Sequence, residues 1–183
     1  MNVPSARKMD EPRYGTEPPD AIPLLALPAG VSARVLAGEC RGTVGPFKTV
    51  TEVQMVDYSL PEAASVQHSV PPALDNALVF CYRGSGSVSG SAVKENTIVL
   101  LDAASDVRDF RLEAGRCVRP PKRLLACLLL RSSGACFIVF AGKRLRQPIA
   151  WRGPFVMTTQ VCTRRQQHSQ PSALLLRMRF TPP

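Results

Sequence analysis

Apolar and polar positions alternate in short runs along most of this chain, and proline and glycine separate the runs. Residues 50–60 (VTEVQMVDYSL) place Val53 and Met55 on one face, then Val56, Tyr58 and Leu60 one step out of phase. The slip at Met55–Val56 predicts a β-bulge. Residues 65–70 (SVQHSV) alternate again after a PEA turn. Residues 77–82 (ALVFCY) are apolar throughout, as in a central strand covered on both faces. Further strands are predicted over 33–38 (ARVLAG), 97–101 (TIVLL), 107–112 (VRDFRL) and 136–141 (CFIVFA), with a glycine-rich hairpin region at 83–92 (RGSGSVSGSA). Short strands at turn-rich intervals indicate an all-β sandwich or barrel. No internal repeat and no convincing amphipathic helical period interrupts the pattern.

Composition agrees with this picture. The 183 residues suffice for one domain with a proper core, and 17 prolines with 6% aromatics suit strands and turns better than a helical bundle. Residues 1–30 are rich in proline and charge and read as an extended lead-in. Its apolar clip, Ile22, Leu24, Leu25 and Leu27, is expected to pack onto the domain that follows.

Charge changes the picture in one place. The net charge is +9, a value that often marks nucleic-acid or acidic-membrane binding. Residues 116–132 hold Arg116, Arg119, Lys122, Arg123 and Arg131, and residues 161–183 hold Arg164, Arg165, Arg177 and Arg179, with no acid in either segment. With those nine set aside from the 23 basic residues, 14 remain against 14 acidic ones. Neither segment interleaves aromatic residues for base stacking, so nucleic acid is not the expected partner. The longest apolar run, 124–130 (LLACLLL), is too short to cross a bilayer, and the N-terminal residues lack a secretory apolar stretch. An intracellular protein of the cytoplasm or nucleus is expected.

Candidate chemistry is sparse. The six cysteines show no C-x-x-C spacing, and Cys81 and Cys136 fall in apolar runs as small core residues. The chain has two histidines, His68 and His168. His68 is expected at a half-exposed rim, with Gln67 and Ser69 on the opposite strand face. One imidazole supplies neither a metal site nor a nucleophile–base pair. Asp102, Asp106 and Asp109 with Glu113 read as charged loop and edge positions. The GSGSVSG stretch lacks the lysine and helix of a phosphate loop. No catalytic, cofactor or metal residue is therefore assigned.

Several segments together carry a family resemblance: KMDEPRYGTEPPDAIP, ARVLAGE, MVDYSL, QHSVPPALDNALVFCYRGSGSV and FIVFAGKRLRQPIAWRGPFVMTT. The chain resembles the C-terminal cupin domain of the pirin family. The resemblance implies a cupin (RmlC-like) jelly-roll β-barrel with an extended N-terminal lead-in and an irregular C-terminal tail. It divides the chain into an inter-cupin linker at 1–30, the cupin at 31–160 with an insertion at 116–132, and an aberrant basic tail at 161–183, expected to be disordered. The family-motif structural positions are Gly38, Glu39, Asp57, Gly84, Gly142, Pro148, Gly153, Pro154 and Phe155.

Pirins are bicupins whose N-terminal barrel holds iron through His and Glu residues, and members are linked to transcriptional co-regulation and to quercetin dioxygenase activity. By the resemblance the N-terminal cupin is expected to be missing here, so iron is expected only in that absent half and no cofactor in this chain. The resemblance implies a non-catalytic barrel that acts through protein partners or self-association at an exposed apolar face. The alternative is one half of an iron-dependent quercetin 2,3-dioxygenase-type bicupin. The absent front half and the two basic segments together suggest a truncated or misread gene.

Overall fold

We describe the protein from a computed structural model, which covers residues 2–11, 15–101, 108–115, 134–152 and 155–160. The expected insertion, the basic tail, Asp102, Asp106, Gly153, Pro154 and His168 lie outside these residues. The chain divides into two units, Tyr14–Arg144 and Met1–Arg13 with Leu145–Pro183. In the smaller unit, strands Ala150–Arg152 and Phe155–Met157 pair antiparallel, and the Ser5 amide donates to Gln147 Oε1 at 2.8 Å. Pro148 belongs to this unit. Among the described residues, no helix is long and apolar enough to cross a membrane.

The larger unit is a jelly-roll β-barrel. Its strands are β1 (Leu24–Ala26), β2 (Ser32–Ala37), β3 (Glu39–Cys40), β4 (Thr43–Val44), β5 (Val53–Pro61) and β6 (Ser65–Ser69). They continue as β7 (Asn76–Val88), β8 (Ser91–Lys94), β9 (Thr97–Leu101), β10 (Asp109–Ala114) and β11 (Gly134–Gly142). The main sheet runs β1-β2-β5-β11-β7-β10-β6, and β8 and β9 also pair with β7. The 13-residue β7 turns the corner of the barrel. Its first half pairs with β9 and β11, and its second half pairs with β8 and β10.

Gly84 makes that corner possible. Its φ is +78°, and a Cβ there would stand 2.1 Å from the Gly134 carbonyl oxygen. The β11 register shifts at Cys136/Phe137 beside this bend, so the two strands curl together. The core lies inside the curl: Val35, Val56, Tyr58, Val79, Leu112, Phe137 and Val139 are all buried. Burying each aliphatic or Phe side chain contributes about 1.5–3 kcal/mol. The apolar clip docks as expected in part. Leu25 and Leu27 pack against the core, while Leu24 on β1 faces solvent.

Three expectations are corrected. There is no phase slip at Met55–Val56: Gln54, Val56, Tyr58 and Leu60 all point inward on an unbroken β5. The irregularity lies opposite, on β2, where Val35 pairs with Val56 but Ala37 pairs with Met55. Gln54 is a buried polar residue, so the inward face of β5 does not show as an apolar alternation in the sequence. Second, β7 is not fully covered on both faces. Val79 and Cys81 are buried, whereas Leu78, Phe80 and Tyr82 are only half-buried on the outer face. Third, Cys136 is half-buried on that outer side of β11 and is not a core residue.

Two motif glycines should respond differently to a methyl group. Gly84→Ala meets both a left-handed backbone and the Gly134 carbonyl, and should cost at least about 2 kcal/mol in a urea melt. At Gly142 the nearest atom to an added Cβ is Val53 Cγ1 at 3.7 Å, so Gly142→Ala should stay within about 1 kcal/mol of the parent. Equal effects at the two positions would show that β7 does not turn at Gly84.

Candidate functional site

At the end of β2 the chain leaves the sheet. Gly38 adopts φ +71°, with its Cβ position 2.3 Å from the Val53 carbonyl oxygen, so only glycine lets the backbone pass so close to β5. The β3–β4 hairpin follows, closed by Arg41–Gly42, both at positive φ. Bonds from the Gly45 amide to the Gly38 carbonyl (2.8 Å) and from Phe47 to Leu36 (3.1 Å) fold the segment back against β2. This places Cys40 inside the barrel mouth and Arg41 over it.

Below the hairpin, a chain of polar groups crosses the barrel. Gln54 Nε2 lies 2.7 Å from the Glu39 carbonyl oxygen, and His68 Nε2 lies 3.0 Å from Gln54 Oε1. The Tyr58 hydroxyl lies 2.8 Å from His68 Nδ1 and 3.6 Å from the Cys40 sulfur. The directions follow from chemistry. A backbone carbonyl only accepts, so the Gln54 amine faces Glu39 and its oxygen faces His68. His68 Nε2 must then carry the proton, leaving Nδ1 to accept from Tyr58 O–H. The Cys40 thiol in turn donates to the Tyr58 oxygen. Phe110 packs on the imidazole, with ring centroids 5.1 Å apart.

His68 is therefore not a half-exposed rim residue: it is buried, at 2% exposure, with both nitrogens engaged. The parity of Val66 and Val70, which also point inward on and beside β6, was the available signal. Burial, helped by the Arg41 charge and opposed by Asp109, pushes its imidazole down to about 4. Burial, with Cys40 nearby, holds the Tyr58 phenol well above its ordinary range, against the opposing effect of Arg41, so it remains a donor.

A cavity of about 1010 Å³ opens above this floor. Val44, Phe47, Val70 and Leu74 form much of its wall, and Arg41, Lys48, Glu39 and Glu52 stand among its lining. Arg41 Nη2 donates to the Gln67 carbonyl at 2.8 Å.

The motif positions divide by role. Gly38 and Glu39 belong to the mouth, Glu39 through its carbonyl oxygen. Asp57 faces outward and accepts the Tyr82 hydroxyl at 2.9 Å. Gly84 and Gly142 shape the sheet, Pro148 lies in the smaller unit, and Phe155 opens its second strand. Gln54, Tyr58, Cys40 and Arg41 were not singled out in sequence. Asp109 accepts from Ser69, and Glu113 from Ser87 at 2.7 Å, so these carboxylates brace strand surfaces. They do not join the inward cluster.

Iron of the cupin kind does not fit these residues. Such a site needs several imidazoles and a carboxylate facing one point. The inward cluster offers one imidazole, a thiol, a phenol and an amide, and no group of three metal-ligating side chains gathers among the described residues.

The buried imidazole makes stability depend on pH. Unfolded, His68 takes up its proton near its ordinary pKa of 6.5; folded, near 4. Its contribution is complete above about pH 6.5, and about 3 kcal/mol is lost as the pH falls from 6.5 to 4. A glutamine at this position accepts from Tyr58 through its oxygen and donates to Gln54 through its nitrogen, yet does not titrate. Urea melts across this pH range should therefore show a flatter stability profile for His68→Gln than for the parent; parallel profiles would contradict the assignment.

Comparison with known proteins places this geometry. Residues 55–163 match the Pirin C-terminal cupin domain family. Pirin-1 of Arabidopsis thaliana is 27% identical over 164 residues, spanning 87% of this chain and 50% of that protein. A pirin-like protein of Caulobacter vibrioides is 28% identical over 162 residues, spanning 87% and 51%. The crystal structure of quercetin 2,3-dioxygenase from Acinetobacter baumannii superposes with a TM-score of 0.76 at 24% identity, over 91% of this chain and 52% of that one. The chain spans about half the length of the curated relatives it matches. The barrel with its buried imidazole is a pirin C-terminal cupin domain, and the chain belongs to the pirin family.

Proposed function

We propose that this chain serves as a non-catalytic structural and protein-interaction domain, working through contacts of its outer sheet face. One observation carries the reading. Cross-strand register places Leu100, Leu78, Phe140 and Met55 in one row across β9, β7, β11 and β5, and Ile98, Phe80 and Ile138 in the next. These are outward positions. Leu100 is 76% and Ile98 58% exposed. A contiguous apolar face on a sheet marks an association surface. The satisfied hydrogen-bond chain inside the barrel supports the same reading, since it leaves no activated nucleophile or base.

A second reading has a specific support: the chain spans about half of a structure described as a quercetin 2,3-dioxygenase. On that reading the barrel is the accompanying half of an iron enzyme, and the chemistry resides in the half of that enzyme that the barrel does not match.

Two measurements bear on these readings. In sedimentation experiments the isolated chain should self-associate, and the double variant Ile98→Glu, Leu100→Glu should be monomeric with an unchanged circular dichroism spectrum. A monomeric parent at high micromolar concentration would count against the interaction face. In metal analysis the purified chain should carry substoichiometric iron and should not turn over quercetin. One tightly held iron per chain would overturn the non-catalytic reading in favour of the enzyme.

A further inference from the structure

We propose that the barrel mouth binds a small organic monocarboxylate, with Arg41 holding the acid group and the apolar cavity wall holding the body of the ligand. The cavity, at about 1010 Å³, is of small-molecule size. Its wall is largely hydrocarbon, and its floor is neutral: Tyr58 and His68 have their donors and acceptors engaged by each other and by Gln54.

The charge stands above that floor. Arg41 occupies the first turn position of the β3–β4 hairpin at φ 51°, a conformation that arginine rarely adopts. From there its side chain reaches the cavity, where a bond to the Gln67 carbonyl and a side-chain contact with the Tyr58 hydroxyl orient the guanidinium. A carbonyl neutralises no charge, and no carboxylate is paired with Arg41 among the described residues. The remaining N–H groups of the fork match a planar carboxylate in bidentate geometry.

The rest of the rim favours a single negative charge. Lys48 adds a second cation with no ion pair among the described residues. Glu52 is drawn toward Lys143, 3.8 Å away, which leaves Glu39 as the opposing carboxylate. A dianion or polyphosphate would meet Glu39; a monocarboxylate held by Arg41 need not.

Benzoate is the probe, and benzyl alcohol is its uncharged counterpart of similar shape. In titrations followed by calorimetry or amide NMR shifts, benzoate should bind saturably and shift residues of the mouth, and benzyl alcohol should bind at least about tenfold more weakly. Arg41→Gly removes the guanidinium and relieves the left-handed strain, so its Tm should be no lower than the parent's while benzoate affinity falls at least about tenfold. Arg34→Gln, an exposed arginine on β2 outside the cavity lining, should bind benzoate like the parent. The proposal is overturned if benzoate shows no saturable binding up to about 10 mM, or if Arg41→Gly binds it as tightly as the parent. Neither result depends on whether the outer face self-associates.

Discussion

An imidazole buried between strands is tolerated only when both its nitrogens have partners, because an orphaned polar group costs about 1–3 kcal/mol. His68 meets that condition through Tyr58 and Gln54, which lie on β5 at the same parity, on either side of Val56. The register of β5 is thus held by a polar requirement as well as an apolar one. A one-residue slip would turn Val56 out of the core and remove both partners of His68 at once. The same chain continues from Gln54 to the Glu39 carbonyl and from Tyr58 to Cys40, so the mouth hairpin is tied to the barrel floor. Arg41 is the next residue, and its place over the cavity follows from these bonds.

Strand existence was largely legible because alternation survives wherever one face is hydrocarbon. Residues 65–70 fall on an observed strand for that reason, whereas 97–101 and 136–141 are legible as short apolar runs bounded by turn residues. The reading failed where the inward face is polar, and on the outer side of β7 and β11, where apolar residues are only half-covered. Gln54 breaks the apolar alternation of β5, so the apolar pattern alone shows a slip where the strand has none. His68, expected at a rim, is buried, and Val66 and Val70 share its parity. Both errors fall at the site, where buried polar groups violate the binary pattern and are stabilised by partners far away in sequence. His68 and Gln54 are 14 residues apart, and Tyr58 and Cys40 are 18 apart. No local motif announces such a cluster; it becomes visible once β3, β5 and β6 are set side by side.

The barrel also inverts a usual distribution. Its mouth and floor carry the polar groups, while the outer side of β9, β7, β11 and β5 carries apolar rows. The two surfaces share one strand, β5. On β5, Tyr58 points in to His68, while its neighbour Asp57 points out and accepts the Tyr82 hydroxyl. A change in the packing of the outer rows would reach the floor through backbone shared with the site, since β5 supplies both. Association at the outer face and occupancy of the mouth are therefore mechanically adjacent without sharing a residue.

The charge at the mouth is a local matter, distinct from the net charge of the chain. The nine residues that make up the excess lie at 116–132 and 161–183, and their field would attract any polyanion with a strong dependence on salt. Arg41 acts at hydrogen-bond range, where the geometry of the fork selects a planar acid. Turn chemistry does not account for an arginine there. A two-residue hairpin with both central residues at positive φ is best served by asparagine or glycine, and Gly42 fills its second place without strain. Holding arginine in the first place costs about 1–2 kcal/mol of backbone strain. The bond to Gln67 offsets part of that cost and fixes the guanidinium over the cavity, which is where a bound acid would return the remainder.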